Sequence, residues 1–112
     1  MKYHDYCVMT DRGPSLVDGA EPCVLPSHPE IRAFVHRSWH DNTFFEVSEF
    51  ESGYSLTKKA SFPWRKTAIA RADALCSRQT AEYLRTEIDR AVKEHGRAND
   101  EEDWNAPRRD PV

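Results

Sequence analysis

The sequence lacks the markers of several large classes of protein. It contains no run approaching the roughly 20 apolar residues that a transmembrane helix needs. The segment from Met1 to Tyr6 has no apolar core like that of a signal peptide. Only three cysteines occur, Cys7, Cys23 and Cys76, and an odd number at such wide spacing argues against a disulfide framework. These absences predict a cytoplasmic protein with buried, unreactive thiols.

Recognisable catalytic signatures are also missing. No phosphate loop, dinucleotide-binding fingerprint or metal cassette occurs in the chain. His36 and His40 stand four residues apart in a predicted helix, a spacing that can share a metal ion, but no third ligand is marked. A nucleophile pair of Cys7 or Cys23 with a histidine has neither a sharp turn nor oxyanion donors to support it. We therefore expect no cofactor and no catalytic activity.

The composition indicates one small folded domain with a thin core. The chain has 112 residues, which is the size of a single domain. Apolar residues make up 38 % of it and charged residues 31 %, so the aromatic residues, at 11 %, must supply much of the buried area. We expect residues 1–96 to form the domain and the polar, charged residues 97–112 to form a flexible tail. Trp104 in that tail either folds back on the domain or anchors to a partner.

The first part of the chain predicts a strand, a loop and a helix. Residues 2–9 are rich in aromatic and apolar types, which favours a β-strand. Residues 10–26 contain several prolines and glycines and are predicted to form a loop, with room for one very short strand. Ser27 and Glu30 match a capping box ahead of apolar residues at helical spacing. We therefore predict a helix over 28–39.

A β-hairpin is predicted next. Residues 44–50 and 54–59 alternate apolar and polar side chains, and Gly53 supplies a positive φ at the turn between them. Within the first strand, Glu49 is expected on the apolar face and Glu46 on the opposite face. Both are interpreted as charges that keep a strand edge soluble rather than as a catalytic pair.

Helical spacing then extends over residues 63–95, and Gly96 is a natural stop. One long helix or two helices broken near residue 78 fit the pattern. We favour the break, since one helix of that length would extend about 50 Å and so small a domain could not cover its apolar stripe. The predicted fold is α+β, with a three-stranded antiparallel sheet packed against helices in the order β-α-β-β-α-α.

Charge is distributed unevenly along the chain. The formal net charge is −3, yet residues 58–78 carry six basic side chains against one acid, Asp73. The basic residues of this segment are Lys58, Lys59, Arg65, Lys66, Arg71 and Arg78. They are the predicted partner-binding residues, because a cluster of cations favours an acidic partner.

These features favour a non-enzymatic binding protein that regulates or inhibits a macromolecular partner through its charged surface. The expected partner is another protein or a protein–nucleic acid complex, and a homodimer is also compatible with the thin core. Small accessory proteins of phages and plasmids, including inhibitors of bacterial defence systems, have this size and make-up. One alternative is a nucleic-acid-binding module that uses the basic segment. The other is a small enzyme or metal protein centred on the histidines.

Overall fold

The computed structural model describes residues 3–39, 41 and 43–106. In them, five short β-strands are followed by two α-helices. The predicted α+β class is confirmed, as is a three-stranded antiparallel sheet packed against helices. The element order differs, because all the strands precede the helices. Within these described ranges, no helix is long and apolar enough to cross a membrane.

Two strands form a small hairpin of their own near the start of the chain. β1 (Cys7–Thr10) pairs antiparallel with β2 (Gly13–Leu16). The predicted strand over 2–9 was expected in the main sheet, but this hairpin is a separate two-stranded sheet. The predicted loop over 10–26 is also wrong, because β2 and a further strand over Glu21–Cys23 lie within it, and Pro14 and Pro22 are inside these strands rather than in turns.

The main sheet consists of β3 (Glu21–Cys23), β4 (Ala33–Arg37) and β5 (Phe45–Glu49), in that spatial order and antiparallel. The predicted helix over 28–39 is therefore wrong. β4 is the central strand and is buried on both faces, so its residues form a short apolar run that periodicity cannot distinguish from a helix.

The capping box predicted at Ser27 also fails to form, since no helix follows it. The Ser27 backbone N–H and hydroxyl instead donate to the Asp73 carboxylate, at 2.9 and 2.7 Å. These hydrogen bonds tie the loop before β4 to the helical half of the chain.

The two faces of the sheet carry separate apolar cores. On one face, Val35 and Val47 pack against Ala68 and Ala72 of the first helix. On the other face, a cluster of Tyr6, Val8, Val17, Ala20, Phe34 and Phe50 joins the sheet to the first hairpin. Successive residues of a strand point to opposite faces, so β4 and β5 supply side chains to both cores.

The predicted return strand over 54–59 is only partly present. Ser55 makes an isolated bridge to Ser48, and the Leu56 N–H donates to the Val47 carbonyl at 2.7 Å. Beyond Leu56 the chain enters a turn instead of continuing along β5. The turn at Gly53 is confirmed, with φ of +71°.

Two helices follow, and the predicted break between them is confirmed. α1 (Arg65–Cys76) ends shortly before α2 (Ala81–His95) begins. The Thr80 hydroxyl caps α2 by accepting from the Tyr83 N–H at 3.0 Å. Gly96 ends α2 with φ of +82°, as predicted.

The described part of the predicted tail, residues 97–106, packs against the domain rather than extending from it. The Asn99 side chain accepts from the Cys7 N–H at 2.7 Å and donates to the carbonyls of Cys7 and Phe50, each at 2.9 Å. A 3₁₀ turn, Glu101–Asn105, then places Trp104 on the core that contains Tyr6. Trp104 thus folds back on the domain. Residues 107–112 of the predicted tail lie outside the described residues.

An ion-pair cluster around Glu51 holds α2 and this segment against the sheet. Arg85 donates to both Glu51 oxygens at 2.8 and 3.0 Å, and Arg97 and Arg32 approach the same carboxylate at 3.4 and 3.6 Å. The Arg85 hydrogen bonds, together with the charges of all three arginines, lower the pKa of Glu51. A carboxyl with a lowered folded-state pKa stabilises the protein above its unfolded-state pKa, and this contribution is lost as the pH falls through the folded-state pKa.

Replacing Glu51 with glutamine should therefore destabilise the protein by about 2 kcal/mol at pH 7, because charged hydrogen bonds are lost. Urea denaturation over a series of pH values measures the difference, which should shrink as the pH drops below the usual range of a glutamate. Asp89→Asn is the control, since Asp89 pairs with Arg85 from an exposed helix position and should contribute under about 0.5 kcal/mol. An unfolding difference for E51Q that does not change with pH would contradict this role.

Candidate functional site

A large open cleft lies on the face of the sheet opposite α1. It encloses about 850 Å³, within the range of pockets that hold small ligands. β4 and β5 form its floor, and residues 53–59 and the end of β1 border it. This cleft is the candidate functional site because it brings titratable, aromatic and basic side chains together.

The floor carries three polar side chains from neighbouring strands. His36 of β4 lies directly opposite Glu46 of β5, so both point to the same face of the sheet. Ser48 lies two residues further along β5 and therefore shares that face. All three residues are buried and line the cleft. A floor of this kind is polar although it lies deep in the molecule.

The buried side chains of His36 and Ser48 are hydrogen-bonded to each other. Because a carbonyl can only accept, His36 Nδ1–H donates to the Arg37 carbonyl at 2.7 Å, and Nε2 accepts from the Ser48 hydroxyl at 2.8 Å. Burial lowers the pKa of His36, which leaves its imidazole neutral at pH 7. A hydroxyl that donates to a neutral imidazole also occurs in serine hydrolases, where a carboxylate orients the ring. Here a backbone carbonyl orients the ring, and the pair serves to satisfy buried polar atoms.

Glu46 differs from its neighbours because, among the residues that the structure describes, its carboxylate has no hydrogen-bond or ion-pair partner. The residue is only 5 % exposed, yet within residues 3–39, 41 and 43–106 its side chain accepts no hydrogen bond and forms no ion pair. Its oxygens are not among the fully enclosed unpaired atoms, so they open into the cleft that it lines. A buried carboxylate without a partner is costly for a folded protein and marks a place where a ligand can supply the missing donors.

Two adjacent lysines stand at the rim in a strained turn. Lys58 and Lys59 have φ of +53° and +65°, the left-handed region that side chains other than glycine avoid. The Ala60 N–H donates to the Thr57 carbonyl at 3.0 Å, so these two residues are the centre of a β-turn with the φ signs of type I′. Asn-Gly is the usual pair at such a position. The Ser55 hydroxyl holds the turn by accepting from the Lys59 N–H at 2.8 Å.

Two exposed aromatic side chains also line the cleft. Trp39 follows β4, and Tyr54 follows the turn at Gly53. The Tyr54 ring lies 5.9 Å from that of His95 at the end of α2, which supports it from one side. Exposed aromatic rings in a cleft offer flat surfaces on which a planar ligand can stack.

The structure separates the predicted partner-binding residues into three groups. Lys58 and Lys59 lie at the rim of the cleft. Arg65 is used within the fold, where it donates to the Gly19 carbonyl at 2.9 Å and pairs with Glu21 at 3.2 Å. Its guanidinium also lies 4.6 Å from the centre of the Phe45 ring.

The remaining three, Lys66, Arg71 and Arg78, are exposed on or just after α1. α1 covers the sheet face that carries Val35 and Val47, whereas the cleft is on the other face. The basic segment over 58–78 is thus continuous in sequence but does not form one continuous surface.

The histidine and cysteine sites that were weighed and set aside from sequence are not assembled among the described residues. His36 lies in a strand, so its helical spacing with His40 is absent, and His40 lies outside the described residues. No group of three histidine, cysteine or acidic side chains is placed to hold a metal in the part of the chain that the structure describes. The cysteines are free, and burial raises the pKa of Cys23 to about 12, which keeps its thiol protonated.

Sequence reasoning missed the floor of the cleft. It placed Glu46 on the face opposite Val47, which is correct, but interpreted the charge as a solubility feature of an exposed edge. The missed signal was the pair of polar residues Glu46 and Ser48 on the face of the strand that was expected to contact solvent. His36 lies on the neighbouring strand and faces the same way. Comparison with known proteins adds no candidate: no protein-family model matches the chain, nor does any curated protein or solved structure.

Proposed function

We propose that this protein is a non-enzymatic binding protein whose cleft holds a single strand of nucleic acid, free or exposed in a protein–nucleic acid complex. Occupying that strand would block other proteins from it, which is how the protein regulates or inhibits the complex. The observation that carries the proposal is the strained turn of Lys58 and Lys59 at the cleft rim.

Strain of this kind is informative because a less costly alternative exists. Two non-glycine residues in left-handed conformations cost roughly 1–2 kcal/mol each, and such outliers concentrate at functional sites. Neither lysine forms an ion pair with a described carboxylate, so the turn does not stabilise the fold through charge. Holding two ammonium groups side by side at the mouth of a cleft suits the phosphates of a nucleic acid backbone.

The aromatic side chains favour a single strand over a duplex or an acidic protein. Bases of a single strand are free to stack on rings such as Trp39 and Tyr54, and that mode of binding tolerates many sequences. Bases inside a duplex cannot enter a cleft without being flipped out. The formal net charge of −3 further implies weak general attraction to nucleic acid, so affinity has to come from this local site.

The test uses Lys58→Asn together with Lys59→Gly, which removes both charges and installs the preferred pair for this turn. The variant should be more stable than the wild type by about 1 kcal/mol, because the strain is relieved. It should also bind a fluorescent single-stranded oligonucleotide at least about tenfold more weakly. The slope of log Kd against the logarithm of the salt concentration should fall by about 1.4, because two phosphate contacts are lost. Fluorescence anisotropy over a salt series and urea denaturation measure both effects.

The control is Lys66→Gln with Arg71→Gln, which removes two exposed charges from α1 on the far side of the sheet. This variant should bind as the wild type does. If it loses binding while the turn variant retains it, the interface is the exterior of α1 and the cleft assignment is wrong. Failure of the wild type to bind any strand at low salt would reject the proposed function. The prediction from sequence that the protein inhibits a protein partner, such as a component of a bacterial defence system, would then remain.

A further inference from the structure

Glu46 determines which chemical groups the floor of the cleft accepts. An ionised carboxylate has two acceptor oxygens and no donor, so a ligand at this position has to bring N–H or O–H groups. Because the residue is only 5 % exposed, little water separates its charge from whatever binds there. An acceptor atom of the ligand would therefore be repelled strongly.

The described residues around Glu46 do not donate hydrogen bonds to its carboxylate, so a ligand has to supply them. The His36 imidazole is neutral, and both of its nitrogens are used, by the Arg37 carbonyl and the Ser48 hydroxyl. Among the residues that the structure describes, none supplies Glu46 with a cation. The carboxylate thus remains available to a bound molecule.

Among the common nucleobases, guanine matches a carboxylate best. Its Watson–Crick edge carries two adjacent donors, N1–H and N2–H₂, which can pair with the two carboxylate oxygens at once. Adenine and cytosine place a ring-nitrogen acceptor beside their amino group. Uracil and thymine place a carbonyl on each side of their single N–H. These bases would set an acceptor against the negative charge.

We infer that the cleft selects guanine, with the base edge on Glu46 and the phosphate at the rim. This inference rests on the proposed function, and it names the base that the same site recognises. Trp39 and Tyr54 provide the stacking surfaces, and the volume of about 850 Å³ has room for a nucleotide. The same chemistry is present in a free guanine nucleotide and in a guanine within a single strand.

The first experiment ranks bases with the wild-type protein. Single-stranded thymidine oligonucleotides that carry one central guanine, adenine, cytosine or hypoxanthine are compared by fluorescence anisotropy. Guanine should bind at least about tenfold more tightly than adenine or cytosine. Hypoxanthine lacks the N2 amine and donates only from N1–H, so it should also lose about tenfold, the usual effect of one charged hydrogen bond.

The second experiment removes the carboxylate charge. Glu46→Gln should bring the four oligonucleotides within about threefold of one another, because an amide presents one acceptor and one donor. Asp18→Asn is the control, since Asp18 is an exposed carboxylate that does not line the cleft. That variant should keep the full preference for guanine. The wild-type ranking tests the inference even if Glu46→Gln fails to fold.

Titration with GMP, AMP, CMP and UMP distinguishes the two sources of the base. A guanine preference among the free nucleotides assigns the site to a nucleotide, and a preference seen only in oligonucleotides assigns it to a strand. Equal binding of all four oligonucleotides, weakened by the Lys58→Asn and Lys59→Gly variant, would overturn the selection of guanine and leave the proposed function standing. Absence of all binding would reject both.

Discussion

Replacing Gly53 with alanine should destabilise the protein by about 4 kcal/mol, through strain and overpacking together. Gly53 has φ of +71°, and a Cβ there would lie 2.6 Å from both the Met9 backbone nitrogen and the Ala98 Cβ. The Gly53 carbonyl accepts from the Met9 N–H at 2.9 Å, so the two backbones cannot separate without losing that bond. Urea denaturation followed by circular dichroism measures the loss.

Gly13→Ala is the control that separates conformational strain from steric clash. Gly13 also has a positive φ, of +93°, but its Cβ would meet no atom within 4 Å. The expected cost is therefore the backbone term alone, about 1–2 kcal/mol. If the two substitutions cost the same, then the close approach of β1, the turn at Gly53 and residue 98 does not contribute to stability.

The elements that could be predicted from sequence are those specified by adjacent residues. The break between α1 and α2 is marked by a polar stretch at Ser77–Gln79 and by the Thr80 cap, both local signals. Gly53 and Gly96 likewise have positive φ where the chain needs it. In each case the side chain or its absence determines the backbone conformation directly, so no distant part of the fold has to be known.

β4 could not be predicted in this way because its environment is made by distant parts of the chain. Val35 contacts the core that includes Ala68 and Ala72, while Phe34 contacts the core of Tyr6 on the other face. Burial on both faces removes the alternation that identifies most strands. What remains in the sequence is an apolar run that follows Ser27 and Glu30. These two residues match the pattern of a helix N-terminus, so the run was interpreted as a helix.

The candidate site was predictable only in part, for a related reason. Lys58 and Lys59 stand out in the sequence by charge, and the opposite directions of Glu46 and Glu49 follow from strand alternation. Glu46 is only 5 % exposed although alternation alone marks its face as solvent-exposed, and β1, residues 53–55, Lys58 and Lys59 line the cleft on that face. Glu49, on the other face, accepts from the N–H groups of Glu51 and Ser52 at 2.8 Å each and so has a structural role.

The shape of the cleft therefore depends on contacts between residues that are far apart in the sequence. Residues 53–59 border the site, and Gly53 meets both β1 and Ala98. The segment after α2 thus supports the wall of the cleft from behind. Changes in residues 97–106 should affect binding as well as stability, although none of these described residues lines the cleft.

Replacing Trp104 with alanine should destabilise the protein by about 3 kcal/mol, because a large aromatic side chain leaves a packed cluster. The Trp104 ring stacks on Tyr6 at 5.7 Å with 9° between the planes, and it meets the edge of Phe50 at 5.0 Å. The Tyr6 hydroxyl also donates to the Trp104 carbonyl at 2.8 Å, which fixes the backbone beside the ring. Differential scanning calorimetry and urea denaturation both measure the change.

Trp64→Ala is the matched control, since Trp64 precedes α1 and is 69 % exposed. Its removal should change the stability by no more than about 0.5 kcal/mol. Trp104→Phe should recover part of the loss, because the smaller ring still packs on Tyr6. If Trp104→Ala lowers the free energy of unfolding no more than Trp64→Ala does, then residues 97–106 do not unfold together with the rest of the domain. In that case the contact of Gly53 with Ala98 would not be needed to keep the cleft wall in position.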